Sequence, residues 1–453
     1  MNESHPISVS EHVEQTLDQT PRKRGSQWGH VIAVTGPLVR AAVPDVHIGE
    51  YCQIERPGHA GGPLDAEVIG FDADGALLMP LGPLTGVLVK TKVWSIGQSF
   101  LVPAGPQVRG RVLDALGRPL DDGPPLTANW PLMIDAPAAL KREVIRKPLT
   151  TSVRAIDATL TVGIGQRVGI FAGAGVGKST LLSMIARGVD ADSVVLALIG
   201  ERGREVRQFI EDDLGEEGLK RSTVVISTSD QPPMLRLKAA YTATAIAEEA
   251  RSRGEKVLLM MDSVTRFARA LREIGLAAGE PPGRQGYPAS VFATLPTLFE
   301  RAGNDDKGSI TAFYTVLVAG NDFTEPVCDE TISLLDGHVV LSAKLGARGH
   351  FPAIDLAGMD SDRPSVSRVM TNVVDRDHVI AASRIRKVLK NYEDNYDKIT
   401  CGLYESGSDP RIDYAIEHID KVNAFLRQHT HKLAKFEDTT NQLVALLPEA
   451  PDE

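Results

Sequence analysis

The residue types best suited to chemistry stand together in the segment FAGAGVGKST, residues 171–180. Its glycines allow the chain to turn so that backbone N–H groups face phosphate oxygens. Lys178 is then expected to reach the β and γ phosphates of a nucleotide, and the Ser179 hydroxyl to hold magnesium. The segment predicts a phosphate-binding loop with these contact residues: Gly173, Ala174, Gly175, Val176, Gly177, Lys178, Ser179 and Thr180.

This loop departs from the usual pattern at one position, where Ala172 replaces the first glycine. Its context is intact, because the apolar run RVGIF precedes it and a helix is expected to begin near Lys178. The apolar side chains of that helix fall on one face: Leu181, Leu182, Ile185 and Val189. A phosphate would lie at the N-terminus of the helix, where free N–H groups and the helix dipole favour an anion.

Two carboxylates follow other apolar runs and are expected at the same edge of a sheet. Asp262 ends KVLLMMD, and Glu201, with Arg202 beside it, ends SVVLALIGE. Because the carboxyl ends of parallel strands share one edge, Asp262 is placed to hold magnesium and its water, and Glu201 to polarise an attacking water. Taken alone, a residue such as Asp262 is more often a cap or turn residue, and one such as Glu201 is more often a surface ion-pair partner.

The elements that must position these residues belong to an α/β fold. From about residue 110 to 371, β-branched apolar runs alternate with helix-length amphipathic stretches, which is typical of a parallel sheet covered on both faces. One helix is predicted from about Leu235 to Arg253, ending at Gly254. The candidate strands are RVGIFAG, SVVLALIG, STVVIST, KVLLMMD, SITAFYTVLV and GHVVLS.

Other patterns flank this core. Residues 29–99 contain short apolar runs separated by Gly, Pro and Asp, which predict a small antiparallel β-barrel or sandwich that serves in assembly. Residues 372–453 have helical apolar spacing. Residues 1–28 are polar and predict a flexible tail, or a short amphipathic partner-binding or membrane-surface helix marked by Val13 and Leu17. The remaining residues, 100–371, form the α/β domain.

Composition narrows the class of protein. The net charge is -10 and the pI about 5.6, and the predicted barrel has four Lys or Arg residues against seven acidic ones, so a nucleic-acid partner is disfavoured. Cys52, Cys328 and Cys401 show no metal-site spacing and are read as reduced thiols of a cytoplasmic protein. The N-terminus does not have the pattern of a secretory signal, and any membrane association is expected to be peripheral.

Longer motifs carry a resemblance to a known family. GERGREV, MDSVTRFARA, GEPPGRQGYPASVFATLPTLFERAG, GSITAFYTVLV and LDGHVVLS resemble the type III secretion ATPases, which are relatives of the catalytic subunits of rotary ATP synthases. The likeness extends from about residue 29 to LYESGSDPRIDYAI near the end of the chain. The finer motifs, such as STSDQPPMLRLKAAYTATAIAEEA and FTEPVCDET, resemble the virulence injectisome branch more than the flagellar export branch.

The resemblance implies a RecA-like core between the barrel and the helical domain, and roles for particular residues. It implies that Glu201 activates water, that Arg202 and Arg266 are supporting cations near the phosphates, and that Phe351 is the aromatic face for adenine. It also implies that Arg368 is an arginine finger that reaches the nucleotide of the neighbouring subunit. The plain alternatives are a core aromatic for Phe351 and a solvated arginine at a helix start for Arg368.

The function implied is that of a homohexameric, magnesium-dependent ATPase at the cytoplasmic base of a type III secretion apparatus, peripheral to the inner membrane. Its implied partners are stator and central-stalk proteins and chaperone–effector complexes, whose cargo it releases and unfolds. The alternatives are a flagellar export ATPase, a hexameric nucleic-acid translocase and a nucleotide-binding subunit that does not hydrolyse. The acidic barrel disfavours the translocase, and the presence of Glu201 disfavours the inactive subunit.

The chain departs from the family pattern just before the finger. The stretch LAGMDSDRPSVS between Asp355 and Arg368 is longer than that pattern by about six residues, and it predicts an extra surface loop between Met359 and Pro364. Such a loop could shift the segment that contains Arg368.

Overall fold

The computed structural model describes residues 28–97, 100–360 and 363–450. The chain divides into two compact units, Met1–Phe100 and Leu101–Glu453, which are described separately below. The predicted tail, except for Trp28, and residues 361–362 of the predicted extra loop lie outside the described residues.

The first unit is a closed barrel of antiparallel strands, paired in the order β1-β2-β5-β4-β3-β6. The strands are β1 (Trp28–Thr35), β2 (Leu38–Ala42), β3 (Tyr51–Ile54), β4 (Leu64–Asp72), β5 (Gly75–Pro80) and β6 (Lys92–Ser95). Along β4, Leu64, Ala66 and Val68 are buried, whereas the acidic residues between them are only half-buried. This alternation fills the barrel with apolar side chains, and the fold is a barrel rather than a sandwich.

The second unit is built on a mixed sheet ordered β19-β18-β12-β17-β15-β13-β14-β8, with β16 paired to β17. Its strands are β8 (Val112–Asp114), β12 (Arg167–Ala172), β13 (Ser193–Glu201), β14 (Ser222–Thr228), β15 (Lys256–Asp262), β16 (Gly303–Asn304), β17 (Ser309–Leu317), β18 (Gly337–Leu341) and β19 (Val366–Ser367). Two small ribbons pair β7 (Leu101–Val102) with β9 (Trp130–Pro131), and β10 (Pro148–Leu149) with β11 (Val162–Gly163). The six candidate strands of the sequence are β12–β15, β17 and β18, which lie side by side and parallel.

Helices cover both faces of this sheet. The α-helices are α1 (Arg154–Thr159), α2 (Lys178–Gly188), α3 (Gly203–Gln208), α4 (Gly215–Lys220), α5 (Pro233–Ser252), α6 (Val264–Ala277), α7 (Ala289–Phe299), α8 (Pro326–Leu334), α9 (Ala343–Ala347), α10 (Met370–Val373), α11 (Arg376–Asp394), α12 (Tyr396–Thr400), α13 (Pro410–Leu426) and α14 (Phe436–Leu446). A π-helical segment, Phe209–Leu214, joins α3 to α4. The predicted helix Leu235–Arg253 is α5, which begins two residues earlier because Pro233 is well suited to a first helical turn.

Strand β13 shows why its run of apolar residues does not alternate with polar ones. Leu196 and Leu198 belong to one core with Leu181 and Ile185 of α2. Val195, which points to the opposite face, is equally buried, and α5 contacts β13 there. A parallel strand buried on both faces must be apolar at every position, as the sequence pattern predicted.

The C-terminal helices extend the α2 face of this core. Ile385 and Val388 of α11, Val422 of α13 and Leu443 of α14 are buried in the same cluster as Ile156 of α1. The described residues contain no helix that is both long and apolar enough to cross a membrane.

Candidate nucleotide site

The phosphate-binding loop lies where the sequence placed it, between β12 and α2. Strand β12 ends at Ala172 and α2 begins at Lys178. Gly177 precedes the helix with φ of 92°, and a Cβ there would lie 3.7 Å from the Phe351 ring. Only glycine adopts this conformation without strain, so the chain can enter the helix with its first N–H groups open to an anion.

Three charged side chains converge beside this loop. Lys178 Nζ lies 2.5 Å from Asp262 Oδ1 and 3.8 Å from Glu201 Oε1. Thr315 Oγ1 on β17 donates to the same Asp262 oxygen at 2.7 Å. The side chains of Lys178, Asp262 and Glu201 are 12%, 7% and 17% exposed, so their charges interact with little screening by water. The ends of β13, β15 and β17 therefore place side chains that are far apart in the sequence beside Lys178.

Ser179 opens onto the same place. It lines a cavity of about 200 Å³ together with Glu201 and Asp262. Hydroxyl and carboxylate oxygens are the ligands that magnesium prefers, and magnesium usually takes one or two protein ligands while phosphates and waters complete its shell. In the described ranges, no cluster of three or more His, Cys, Asp or Glu residues is arranged to hold a metal ion by itself. The donor set thus fits a magnesium ion that arrives with a nucleotide.

Burial raises the pKa of Glu201, and the negative charge of Asp262 raises it further. Lys178 and Arg266 act in the opposite direction, because their positive charges favour the carboxylate. A raised pKa makes Glu201 a stronger proton acceptor once it is ionised, which is the property that a general base needs.

Glu205 is a member of this site that the sequence reasoning missed. Its carboxyl group interacts with that of Glu201 and raises the pKa of Glu201, and it pairs with Arg202 at 2.7 Å, a contact that lowers the pKa of Glu205. It lines the 200 Å³ cavity from the first turn of α3. The signal was present in GERGREV, where a second acid stands four residues after the first and one helical turn brings it back to the strand end.

The two predicted supporting arginines occupy different surroundings. The Arg202 side chain is 78% exposed and forms an ion pair with Glu205. Arg266, on α6, is half-buried, and its Nε has no hydrogen-bond partner in the described structure. Gly200 has φ of 70°, and a Cβ there would come within 2.9 Å of Arg266 Cγ, so the missing side chain lets Arg266 pack beside the residue before Glu201.

A second cavity, of about 550 Å³, opens on the other side of the loop. Phe351 faces it with 45% of its surface exposed, which is unlike a core aromatic. The lining is mainly apolar and includes Leu181 and Met184 of α2. An apolar cavity with an exposed ring beside a phosphate-binding loop fits a nucleotide base.

The C-terminal region also contributes to this cavity, through residues that the sequence did not indicate: Arg427, Gln428, His429 and Thr430. Gln428 is the anchor, because its N–H donates to the Phe351 carbonyl at 3.0 Å and its Nε2 to the Ser152 carbonyl at 2.8 Å. The segment RQHTHK reads only as a polar loop after a helix. Its role depends on contacts between residues more than 270 positions apart, such as Arg154 N with Gln428 Oε1.

Arg368 lies far from its own phosphate-binding loop. Ser367 pairs with Gly337 at the beginning of β18, whereas Leu341 at the end of β18 pairs with Ala172. Four residues of extended strand separate these ends by about 13 Å. The Arg368 side chain is exposed, with Nη2 donating to the Ile332 carbonyl at 3.2 Å. Its charge is thus presented at the opposite edge of the sheet.

The loop before Arg368 is fixed where it begins and ends. The Asp355 carboxylate accepts hydrogen bonds from the backbone N–H groups of the next stretch, residues 357–360, at 2.7–3.3 Å. The Ser365 N–H returns to the Asp355 carbonyl at 2.9 Å. The flanks of the extra loop are therefore held together, and SVSR continues from a defined position.

Comparisons with known proteins agree with this architecture. Residues 152–360 match the nucleotide-binding domain of the ATP synthase alpha/beta family, and residues 31–97 its beta-barrel domain. Residues 374–445 match the T3SS EscN ATPase C-terminal domain. The three matches fall on the sheet, the barrel and the C-terminal helices.

Individual relatives are similar over nearly their whole length. A type 3 secretion system ATPase of Xanthomonas euvesicatoria is 48% identical over 429 residues, covering 94% of this chain and 95% of the relative. A flagellum-specific ATP synthase of Bacillus subtilis is 48% identical over 427 residues, covering 93% and 95%. The assembled ATPase EscN from the type III secretion system of enteropathogenic E. coli superposes with a TM-score of 0.86 at 43% identity, covering 93% of this chain and 100% of EscN.

Sequence motifs, fold and relatives converge on one assignment. The resemblance stated from the sequence is confirmed, as is the predicted order of barrel, P-loop domain and helical domain. The chain belongs to the ATP synthase alpha/beta family and, within it, to the ATPases of type III secretion systems.

Proposed function

We propose that this protein hydrolyses magnesium-bound ATP at sites shared between neighbouring subunits of a homohexamer, and that it thereby drives protein export through a type III secretion apparatus. The observation that carries the proposal is the convergence of Lys178, Glu201 and Asp262 beside the phosphate-binding loop. A cation for the phosphates, a carboxylate for water and a carboxylate for the metal are the parts that phosphoryl transfer needs.

Each side chain has one task in the reaction. The N–H groups of residues 173–180 hold the phosphates. When a nucleotide binds, Lys178 leaves its ion pair with Asp262 and contacts the β and γ phosphate oxygens. Ser179 and Asp262 would hold magnesium, which when bound neutralises charge on those oxygens. Phe351 stacks on the adenine in the 550 Å³ cavity.

Glu201 is the proposed general base. It accepts a hydrogen bond from the attacking water and takes its proton as the bond to the γ phosphorus forms, while ADP leaves with the former bridging oxygen. Arg266 lies beside it and offsets negative charge as it develops. Arg202 has the weaker claim to such a role, because Glu205 already holds its guanidinium at the surface.

The remaining cation of the site, Arg368, is proposed to come from the neighbouring subunit of a ring. Arg368 projects from the sheet edge opposite its own phosphate-binding loop, so a second subunit is the natural recipient of its charge. The similar EscN structure is that of an assembled ATPase, and a second EscN structure, with a TM-score of 0.84, contains the central stalk EscO. These relatives support a homohexamer around a stalk protein for this chain.

The flanking regions are proposed to serve assembly and cargo. The barrel and tail would join subunits to each other and to stator proteins, peripheral to the cytoplasmic face of the inner membrane. The C-terminal helices would receive chaperone–effector complexes. The barrel is poorly suited to a nucleic acid, because Arg40 is paired with Asp72 at 2.6 Å and Arg56 donates to the backbone of its own loop.

The alternative is a flagellar export ATPase, because the Bacillus subtilis relative is as similar as the Xanthomonas euvesicatoria one. Expressing the protein in strains that lack either their injectisome ATPase or their flagellar ATPase separates the two. Restored effector secretion without restored motility supports the injectisome assignment, and the reverse supports the flagellar one.

The energising role is tested with Lys178→Ala in cells. Secretion should stop while the apparatus still assembles, because the variant retains its outer surfaces but loses the phosphate contact. Lys220→Ala is the matched control, since Lys220 is an exposed lysine paired with Glu217 at 2.6 Å. Normal secretion by the Lys178→Ala strain would refute the proposal, and loss of the apparatus itself would indicate a scaffold.

A further inference from the structure

A clamp outside the nucleotide site holds the segment that ends in Arg368. Arg386, in the middle of α11, donates from Nη1 to the Ser365 carbonyl at 2.9 Å and from Nη2 to the Thr159 carbonyl at 2.8 Å. Thr159 is the last residue of α1. One guanidinium therefore ties a C-terminal helix to the end of α1 and to residues 363–368, here called the finger segment.

The finger segment has little secondary structure of its own. Strand β19 pairs only two residues with β18, and the extra loop precedes it. Ser365 provides the firm point, because it is fully buried, its N–H donates to the Asp355 carbonyl and its Oγ accepts from the Val340 N–H at 2.9 Å. The bond from Arg386 satisfies the remaining backbone group of Ser365, three residues before Arg368.

The geometry suits arginine and no other residue. A planar guanidinium can donate in two fixed directions at once, whereas the ammonium of lysine is a single point. No described carboxylate pairs with Arg386, and burial lowers its pKa, so its charge is balanced only by carbonyl dipoles. Such a poorly compensated cation costs stability. A positional role accounts for its presence.

We propose that Arg386 is a positioning residue that fixes the finger segment, so that Arg368 meets the nucleotide of the neighbouring subunit at the correct place. This inference rests on the shared site proposed above. In the described structure, the hydrogen bonds of Arg386 go to Ser365 and Thr159. The bond to Ser365 leads to Arg368, whereas an effect through Thr159 and α1 would appear as a change in nucleotide affinity.

The test is a double-mutant cycle of Arg386→Gln and Arg368→Ala, measured as ATP turnover per subunit in assembled rings. In the wild-type background Arg386→Gln should lower turnover about tenfold to a hundredfold, because a displacement of about 1 Å in a catalytic group has that effect. In the Arg368→Ala background the same change should cost less than about twofold, since the group that it positions is already absent.

Controls separate positioning from folding. Nucleotide affinity, measured with a fluorescent ATP analogue, should be the same in Arg386→Gln and wild type. Arg384→Gln on the same helix should retain full turnover, because Arg384 donates to the Leu447 carbonyl near the end of the described chain. If Arg386→Gln does not fold, Arg386→Lys takes its place in the cycle, and it should retain the charge but lose turnover.

The outcomes are distinct. An equal loss in both backgrounds, no loss in either, or weakened nucleotide binding would overturn the positioning role while the shared site stands. If Arg368→Ala itself leaves turnover unchanged, the shared site fails and the role of Arg386 fails with it.

Discussion

Replacing Glu201 by glutamine removes the proposed general base and changes little else. The two side chains have the same shape, and Glu201 is 17% exposed in a cavity that it shares with Ser179 and Asp262. A positioned general base contributes about 10²- to 10⁴-fold, so ATP turnover in Glu201→Gln should fall by that factor, equivalent to about 3–5 kcal/mol in activation free energy.

Nucleotide binding should move in the opposite direction. Glu201 brings negative charge close to Asp262, and an ATP γ phosphate would add more. Removing one like charge should leave ATP affinity unchanged or tighter, so the loss appears in kcat rather than in KM. The pH profile gives an independent check. Because the pKa of Glu201 is raised, wild-type turnover should fall as the pH drops through that pKa, and Glu201→Gln should lose this acidic limb.

The assay is phosphate release by assembled rings over a pH series, with a fluorescent ATP analogue for affinity. Glu211→Gln is the matched control, because Glu211 is an exposed carboxylate of the same region paired with Arg207 at 2.7 Å. Equal turnover in Glu201→Gln and Glu211→Gln would remove Glu201 from the mechanism, and so would an acidic limb that survives the substitution.

Three further results are expected. Phe351→Ala should weaken ATP binding by about 1–3 kcal/mol, because base stacking on an aromatic ring has that magnitude. Phe351→Tyr should retain the wild-type affinity, and nucleotide titration measures both variants. Equal affinity in the two variants would exclude the adenine contact. Arg368→Ala should slow hydrolysis about 10³-fold at unchanged affinity in each subunit, since an arginine finger acts on the transition state; weaker binding by the isolated subunit would place Arg368 in its own site. Burial lowers the pKa of His350 to about 4, with Arg427 adding to the effect, so only the unfolded state takes up a proton between pH 6.5 and about 4. The free energy of unfolding should therefore fall by about 3 kcal/mol over that range. Denaturant titrations at a series of pH values should show that the free energy of unfolding of His350→Gln depends less steeply on pH than that of the wild type.

Much of the fold was predictable because the apolar runs in the sequence are the same segments that form strands buried on both faces of the sheet. The runs that became β12–β15, β17 and β18 are buried on both faces, so their apolar composition is visible without any structure. The short edge strands β8 and β19 were missed, since two or three residues carry no periodicity. Their pairing depends on neighbours far away in the chain.

The same distinction applies to the site. Loop residues 173–180 and the strand ends at Glu201 and Asp262 follow from local motifs, because each lies at the end of a recognisable strand. Glu205 was missed although its position four residues after Glu201 was a local signal. Gln428 could not be found in this way, since its role arises from a tertiary contact with the Phe351 carbonyl, which nothing in its own segment records.

Each nucleotide site is proposed to be completed by Arg368 of a second subunit. The most direct test of this shared site measures ATP turnover per subunit across a protein concentration series, together with the mass of the assembly at each concentration. Turnover should rise in step with the fraction of subunits in rings, and Arg368→Ala rings should form but remain slow. Full turnover by monomers, unchanged across the series, would show that one subunit contains the whole site and would contradict the shared site.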